Sequence, residues 1–196
     1  AGEEVTAEDS MSTAVQKVFG AASDAIALTR SSLDTAAMEK AADTLLNAKR
    51  VFIFGVGGSA AVATDVQHKF LRLGLDAHAL SDVNLQTITA AYAGERDVVF
   101  AISHSGSSKV VVDNTRLAKN NGATVISLSS MGKSPLTEFA DISLYTAANE
   151  TRYRIVAISS RIAELTIIDT LYSYMSFRAR KADNLIIEKA IEDQMY

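Results

Sequence analysis

Two rhythms of apolar residues alternate along the chain. Runs of consecutive apolar residues, such as Val51-Phe52-Ile53-Phe54 and Val98-Val99-Phe100-Ala101-Ile102, are separated by stretches where apolar residues return every third or fourth position. The first rhythm marks a strand buried on both faces, the second an amphipathic helix. The pattern predicts a helix over 13–31, with Val15, Val18, Phe19, Ala22, Ile26 and Thr29 in step, and a second over 34–49 with Asp34 as its cap. Regular alternation follows: strand 51–54, helix 59–73, strand 76–80, helix 84–92, strand 97–102 and helix 107–120. Strand 123–128, a short helix opened by Ser134-Pro135, and strand 142–145 come next. Helix 59–73 carries Val62, Val66, Phe70 and Leu73 on one stripe and stops at Gly74, as helix 107–120 stops at Asn121-Gly122. A long helix over 151–178, with Ile155, Ile158, Ile162, Leu165, Ile168, Tyr172 and Met175 in step, and a last one over 183–194 complete the reading.

Strands that alternate with helices and are apolar on both faces predict an α/β fold, a three-layer αβα sandwich around a five-stranded parallel sheet. Five strands suit the flavodoxin-like order 2-1-3-4-5, whose direction reverses between the first and third strands, and ligands bind at the carboxyl ends there. Two loops of unusual composition follow those two strands. Gly55-Val56-Gly57-Gly58-Ser59 leaves the first, and Ser103-His104-Ser105-Gly106-Ser107-Ser108 leaves the third.

A glycine-rich turn at a helix start presents backbone N–H groups and the positive end of the helix dipole, which together suit an anion. Ser103, Ser105 and Ser108 add hydroxyls from the strand end, the loop and the first helical turn, Ser59 adds one from the neighbouring loop, and Gly106 allows close backbone approach. Serine before a helix is commonly a cap, but a cap needs one hydroxyl and this loop holds four serines. The pattern describes a pocket for a small phosphorylated molecule. Gly55-x-Gly57-x-x-Ala60 with Asp82 beyond the second strand also fits a dinucleotide fingerprint, although that fold needs no serine cradle and Ser81 intervenes before the acid.

Composition narrows the classes. At 196 residues the chain is long enough for one buried core. A formal net charge of −4 argues against a nucleic-acid surface in this segment. Absence of cysteine removes disulfides, thiolate chemistry and Cys-bound zinc, and fits a reduced, cytoplasmic setting. No metal site and no cofactor are expected. No stretch approaches the ~18 apolar residues of a membrane span. The polar lead-in 1–12 reads as a linker or tag remnant, and the start without methionine suggests a piece cut from something longer. His68 and His78 read as surface or packing residues, and Asp65 with Lys69 as a helix-stabilising pair.

The paired loops resemble the phosphosugar cradle of the sugar isomerase (SIS) domain, built from Gly-x-Gly-x-Ser/Thr and Ser-x-Ser-Gly-x-Ser/Thr motifs. Together with Ser160-Arg161-Ile162-Ala163-Glu164-Leu165 and Ile168-Asp169, they resemble more narrowly the effector domain of RpiR-type bacterial transcriptional regulators, over residues 13–196. The resemblance implies a phosphosugar-sensing domain in which Ser59, Ser103, Ser105 and Ser108 hold the phosphate, helped by the main chain of Gly57, Gly58 and His104. It implies a homodimer or tetramer, with helices 13–31 and 151–178 as candidate pairing surfaces, and DNA contact only through a helix-turn-helix domain missing from this chain. Glu164 falls where related isomerases carry an acid bordering the sugar, so an aldose–ketose sugar-phosphate isomerase is the alternative function. Ion pairing with Arg161 on a solvated helix face is an equally weighted expectation for Glu164.

Overall fold

Strand and helix follow one another much as the two rhythms predict. The elements are α1 (Met11–Ser32), α2 (Thr35–Leu46), β1 (Arg50–Phe54), α3 (Gly58–Arg72), β2 (Ala77–Leu80), α4 (Val83–Tyr92), β3 (Asp97–Ile102), α5 (Lys109–Asn120), β4 (Thr124–Ser130), β5 (Ile142–Thr146) and α6 (Ile158–Arg178). They come from a computed structural model that describes residues 4–147 and 158–179, with Lys189 and Glu192. The first part of the expected helix 151–178 and nearly all of 183–194 lie outside the described residues.

All strand pairs are parallel, in the order β2-β1-β3-β4-β5. The sheet divides its apolar residues by parity. Val51, Ile53, Val98, Phe100 and Ile102 pack with α2, α3 and α6 on one face. Phe52, Phe54, Val99 and Ala101 pack with α4 and α5 on the other. Alternate side chains of a strand point to opposite faces, so two covered faces require the unbroken apolar runs seen in the sequence.

Local signals explain most boundaries. Asp34 accepts from the N–H groups of Ala36 and Ala37 at 2.9 and 3.0 Å. Gly74, at φ +76°, ends α3 as the Leu75 N–H returns to the Phe70 carbonyl at 3.1 Å. Helix α1 begins at Met11 because the Ser10 hydroxyl accepts from the Thr13 N–H at 3.1 Å. That places Met11 and Ser12 of the expected lead-in inside the helix.

Two expectations need correction. Residues 134–139 form successive turns instead of a helix. The Thr137 hydroxyl bonds the Ser134 carbonyl at 2.9 Å while accepting from the Ser134 N–H at 3.0 Å, and such local bonds compete with helix formation. In α6, Ile162 is exposed, and the buried face is Ala163, Ile167, Ile168, Leu171 and Met175. Ile168 and Met175 of the expected stripe are buried, but alanine also faces the core and turns the face away from Ile162.

Candidate functional site

The reversal point lies where the sequence places it. Phe54 of β1 pairs with Ala101 of β3, so the two loops of interest leave adjacent strands at the carboxyl edge. Their backbones explain their glycines. A Cβ on Gly55 would come within 2.6 Å of the Ser59 carbonyl oxygen, because the first turn of α3 sits directly on it. Gly57 holds φ +57° and ψ −127°, a conformation for which side-chain-bearing residues pay heavily. Open space surrounds the positions a Cβ would take on Gly57 and Gly58. Beneath this loop, buried Gln86 donates through Nε2 to the Leu80 carbonyl at 2.7 Å and the Gly55 carbonyl at 3.4 Å. It ties the ends of β2 and β1 together.

The serine loop is wound tightly. Ser103 is buried, its N–H bonds the Leu128 carbonyl at 3.1 Å, and its carbonyl accepts from the Gly106 N–H at 2.9 Å. Gly106 has φ +63°. The exposed Ser105 hydroxyl oxygen accepts from the Ser107 N–H at 3.2 Å and the Ser107 hydroxyl at 2.9 Å. Some of the serine excess is therefore spent on loop structure. In both contacts Ser105 Oγ accepts, which leaves its own proton available to an incoming oxygen. Ser59 and Ser108 are half-buried, the latter at the start of α5.

Capping separates α3 and α5 from α1, α2 and α4. Ser10, Asp34 and Asp82 cap α1, α2 and α4 with their side chains. Gly57 and Ser108 stand at the cap positions of α3 and α5, and neither helix receives a side-chain cap. The serines beside α5 do not do the capping that is the ordinary reason for serine at a helix start. Both uncapped ends belong to the two loops at the reversal point, and their positive dipole ends suit an anion there.

A third loop, after β4, completes the rim, and the sequence disclosed its serines but not its shape. The Ser130 N–H bonds the His104 carbonyl at 2.9 Å, and the Ser130 hydroxyl hydrogen-bonds with His104 Nδ1 at 3.0 Å. The Leu136 N–H bonds the Gly106 carbonyl at 3.0 Å. A Cβ on Gly106 would lie 2.2 Å from Ser134 Oγ, so the Ser134 side chain occupies that space. The sequence ends the fourth strand at Leu128, two residues before its end in the structure at Ser130. Ser129-Ser130, followed by Ser134-Pro135, was the available signal.

Glu164 is not the solvated ion-pair residue that its spacing to Arg161 suggests. Its side chain is buried on α6, and its Oε1 lies 4.0 Å from His104 Nδ1. The structure thus brings the serine loop and the α6 acid together through His104. Other predicted roles stay away from the site. His78 is exposed and bonds Asp76 at 2.7 Å. Lys69 pairs with Asp65 within α3 and reaches Asp169 at 2.8 Å. Partial burial of Lys69 favours the neutral amine, but these carboxylates outweigh it and raise the pKa. Among the described residues there is no cluster of three acidic or histidine side chains fit for a metal, and no helix long and apolar enough to cross a membrane.

A parallel sheet with two uncapped, glycine- and serine-rich loops at its reversal point defines a class of small-anion-binding α/β domains. The profile of the SIS domain family matches residues 44–174, and the chain belongs to that family. It is homologous to bacterial regulators of the RpiR/HexR type. An uncharacterised HTH-type transcriptional regulator of Caldanaerobacter subterraneus is 39% identical over 168 residues, 86% of this chain and 60% of that protein. HexR of Escherichia coli is 34% identical over 195 residues, 98% of this chain and 67% of HexR. RpiR of the same organism is 32% identical over 169 residues, 86% of this chain and 57% of RpiR. These relatives are named as regulators, not enzymes, in keeping with a non-enzymatic role, and the chain spans about three-fifths to two-thirds of their lengths.

Solved structures share the fold. Vibrio vulnificus NanR complexed with ManNAc-6P superposes with a TM-score of 0.83 at 23% identity, over 90% of this chain and 66% of that one. The sugar isomerase domain of an RpiR transcription factor from Sphaerobacter thermophilus gives 0.80 at 22%, over 91% and 97%.

Proposed function

We propose that this chain is the effector domain of an RpiR-type transcriptional regulator, and that it binds a sugar phosphate in the crevice between the loops after β1 and β3. Residues 11–196 form the sensing unit and 1–10 the linker before it. Phosphate is held by the hydroxyls of Ser59, Ser103, Ser105 and Ser108 and by main-chain N–H groups of Gly57, Gly58 and His104. Glu164, beside His104, meets the sugar. The protein works in the cytoplasm as a homodimer or tetramer, and DNA is contacted by a part of the regulator outside this chain.

The observation that carries this reading is the pair of helix ends left without side-chain caps, both at the reversal point, while α1, α2 and α4 are capped. ManNAc-6P bound to NanR, which shares the fold, supports the ligand class. A ligand of this kind regulates only through a difference in its affinity for two arrangements of the assembly.

Thermal-shift titration of the chain against sugar phosphates and the matching free sugars tests the ligand class. Ligand at a hundred times its Kd adds about 2.7 kcal/mol, which raises the midpoint of a domain this size by roughly 5–10 °C. A shift from a phosphate and none from its free sugar is expected. Equal shifts from both, or none from any phosphate, would overturn the reading.

A further inference from the structure

Hydroxyls and helix ends answer a phosphate with dipoles, but they bring no full positive charge to its nearly two negative ones. The basic side chain at the start of α5, beside the serine loop, already has an acidic partner. Lys109, the first residue of α5, pairs with Asp113 at 2.5 Å, and Asp113 also receives Arg116 at 3.2 Å.

Lys133 differs. It is exposed, and among the described residues no hydrogen bond or ion pair engages its side chain. It stands near the top of a short arch, 131–134, whose two feet rest on the serine loop. At one foot Ser130 bonds the carbonyl and the ring of His104 at 2.9 and 3.0 Å. At the other, the Ser134 side chain fills the space beside Gly106, and the Leu136 N–H holds the Gly106 carbonyl at 3.0 Å.

Consecutive Cα atoms are about 3.8 Å apart. Lys133 is therefore one residue from a side chain packed against the cradle backbone. Gly132, at φ +130° with open space where a Cβ would be, turns the arch without packing it down. A flexible stem ending in a strongly hydrated ammonium stays in water while the site is empty and closes on an anion when one arrives.

We propose that Lys133 is the counter-ion of the bound phosphate, delivered from the loop after β4 to the cradle formed by the other two loops. This rests on the phosphosugar reading above. It gives the third loop a chemical role, and it makes affinity depend on the ligand's charge as well as its shape.

The test is isothermal titration of wild type, Lys133→Gln and Lys133→Arg with a panel of hexose, pentose and N-acetylhexosamine phosphates, at low and high salt. For the phosphate that wild type binds most tightly, Lys133→Gln should raise Kd about tenfold, and Lys133→Arg should recover most of the loss. Wild-type affinity should fall more steeply with salt than that of Lys133→Gln. Unfolding midpoints without ligand should coincide, because the side chain is exposed. Wild-type binding with an unchanged Kd in Lys133→Gln overturns the role of Lys133 and leaves the cradle standing. Failure of wild type to bind any panel member overturns both.

Discussion

Asp97 sits at the foot of β3, 3% exposed, where Arg50 of β1 donates to both carboxylate oxygens at 2.8 and 2.6 Å. The Arg50 hydrogen bond, helped by the Gly94 N–H, holds the carboxyl below the usual carboxylate range against the opposing effect of burial. A carboxyl with a depressed folded-state pKa stabilises fully above its unfolded value, about 3.9, and loses that contribution as pH falls through the folded value. Asp97→Asn should therefore cost about 2 kcal/mol at pH 7, a modest figure because Arg50 keeps contact with water. Denaturant unfolding checks this: the gap between wild type and variant should narrow as pH falls below the unfolded value and through the lowered folded one. A gap that persists in acid would mean that packing, not charge, is what the variant lost. Glu164 and His104 hold a similar lesson about what one residue discloses. Spacing to Arg161 allowed Glu164 a wet helix face as readily as a place bordering the sugar, and it is buried 4.0 Å from His104, a partner 60 positions earlier in sequence. The apolar period of α6 alone does not choose between the two.

Elements were read well where the signal was local. The Asp34 cap, the Gly74 stop and the Val62, Val66, Phe70 and Leu73 stripe stand as expected, because each depends on residues within a turn or two. The Ser134-Pro135 helix failed because hydroxyl bonds and the reach of Leu136 to Gly106 outcompete it. Helix α1 is a third case: its period predicted a helix but not what its apolar residues would face. Met11, Val15, Val18 and Phe19 are exposed, Phe19 to 71%, while Ala25 and Thr29 are buried. Such a stripe on a 22-residue helix is the surface on which we expect pairing. Phe19→Asp should leave the fold intact and lower the mass measured by analytical ultracentrifugation to that of a monomer. An unchanged assembly would move the interface elsewhere.

At the scale of the molecule, the order β2-β1-β3-β4-β5 was legible because a parallel sheet covered on both faces leaves few topologies, and that order alone sets the two loops side by side. The shape of the rim formed by Ser130 and Ser134 was not legible, since it depends on how β4 and the turns after it fold back onto the serine loop. Phosphate recognition by that loop is the central claim. The measurement that tests it most directly is calorimetric titration of one sugar phosphate, the one wild type binds, into wild type and into the Ser103→Ala, Ser105→Ala double variant. Two hydrogen bonds to a charged group, at about 1.5–3 kcal/mol each, predict a loss of affinity of more than about a hundredfold, with the unfolding midpoint little changed. Undiminished binding by the double variant would place the ligand somewhere other than the cradle and contradict the account.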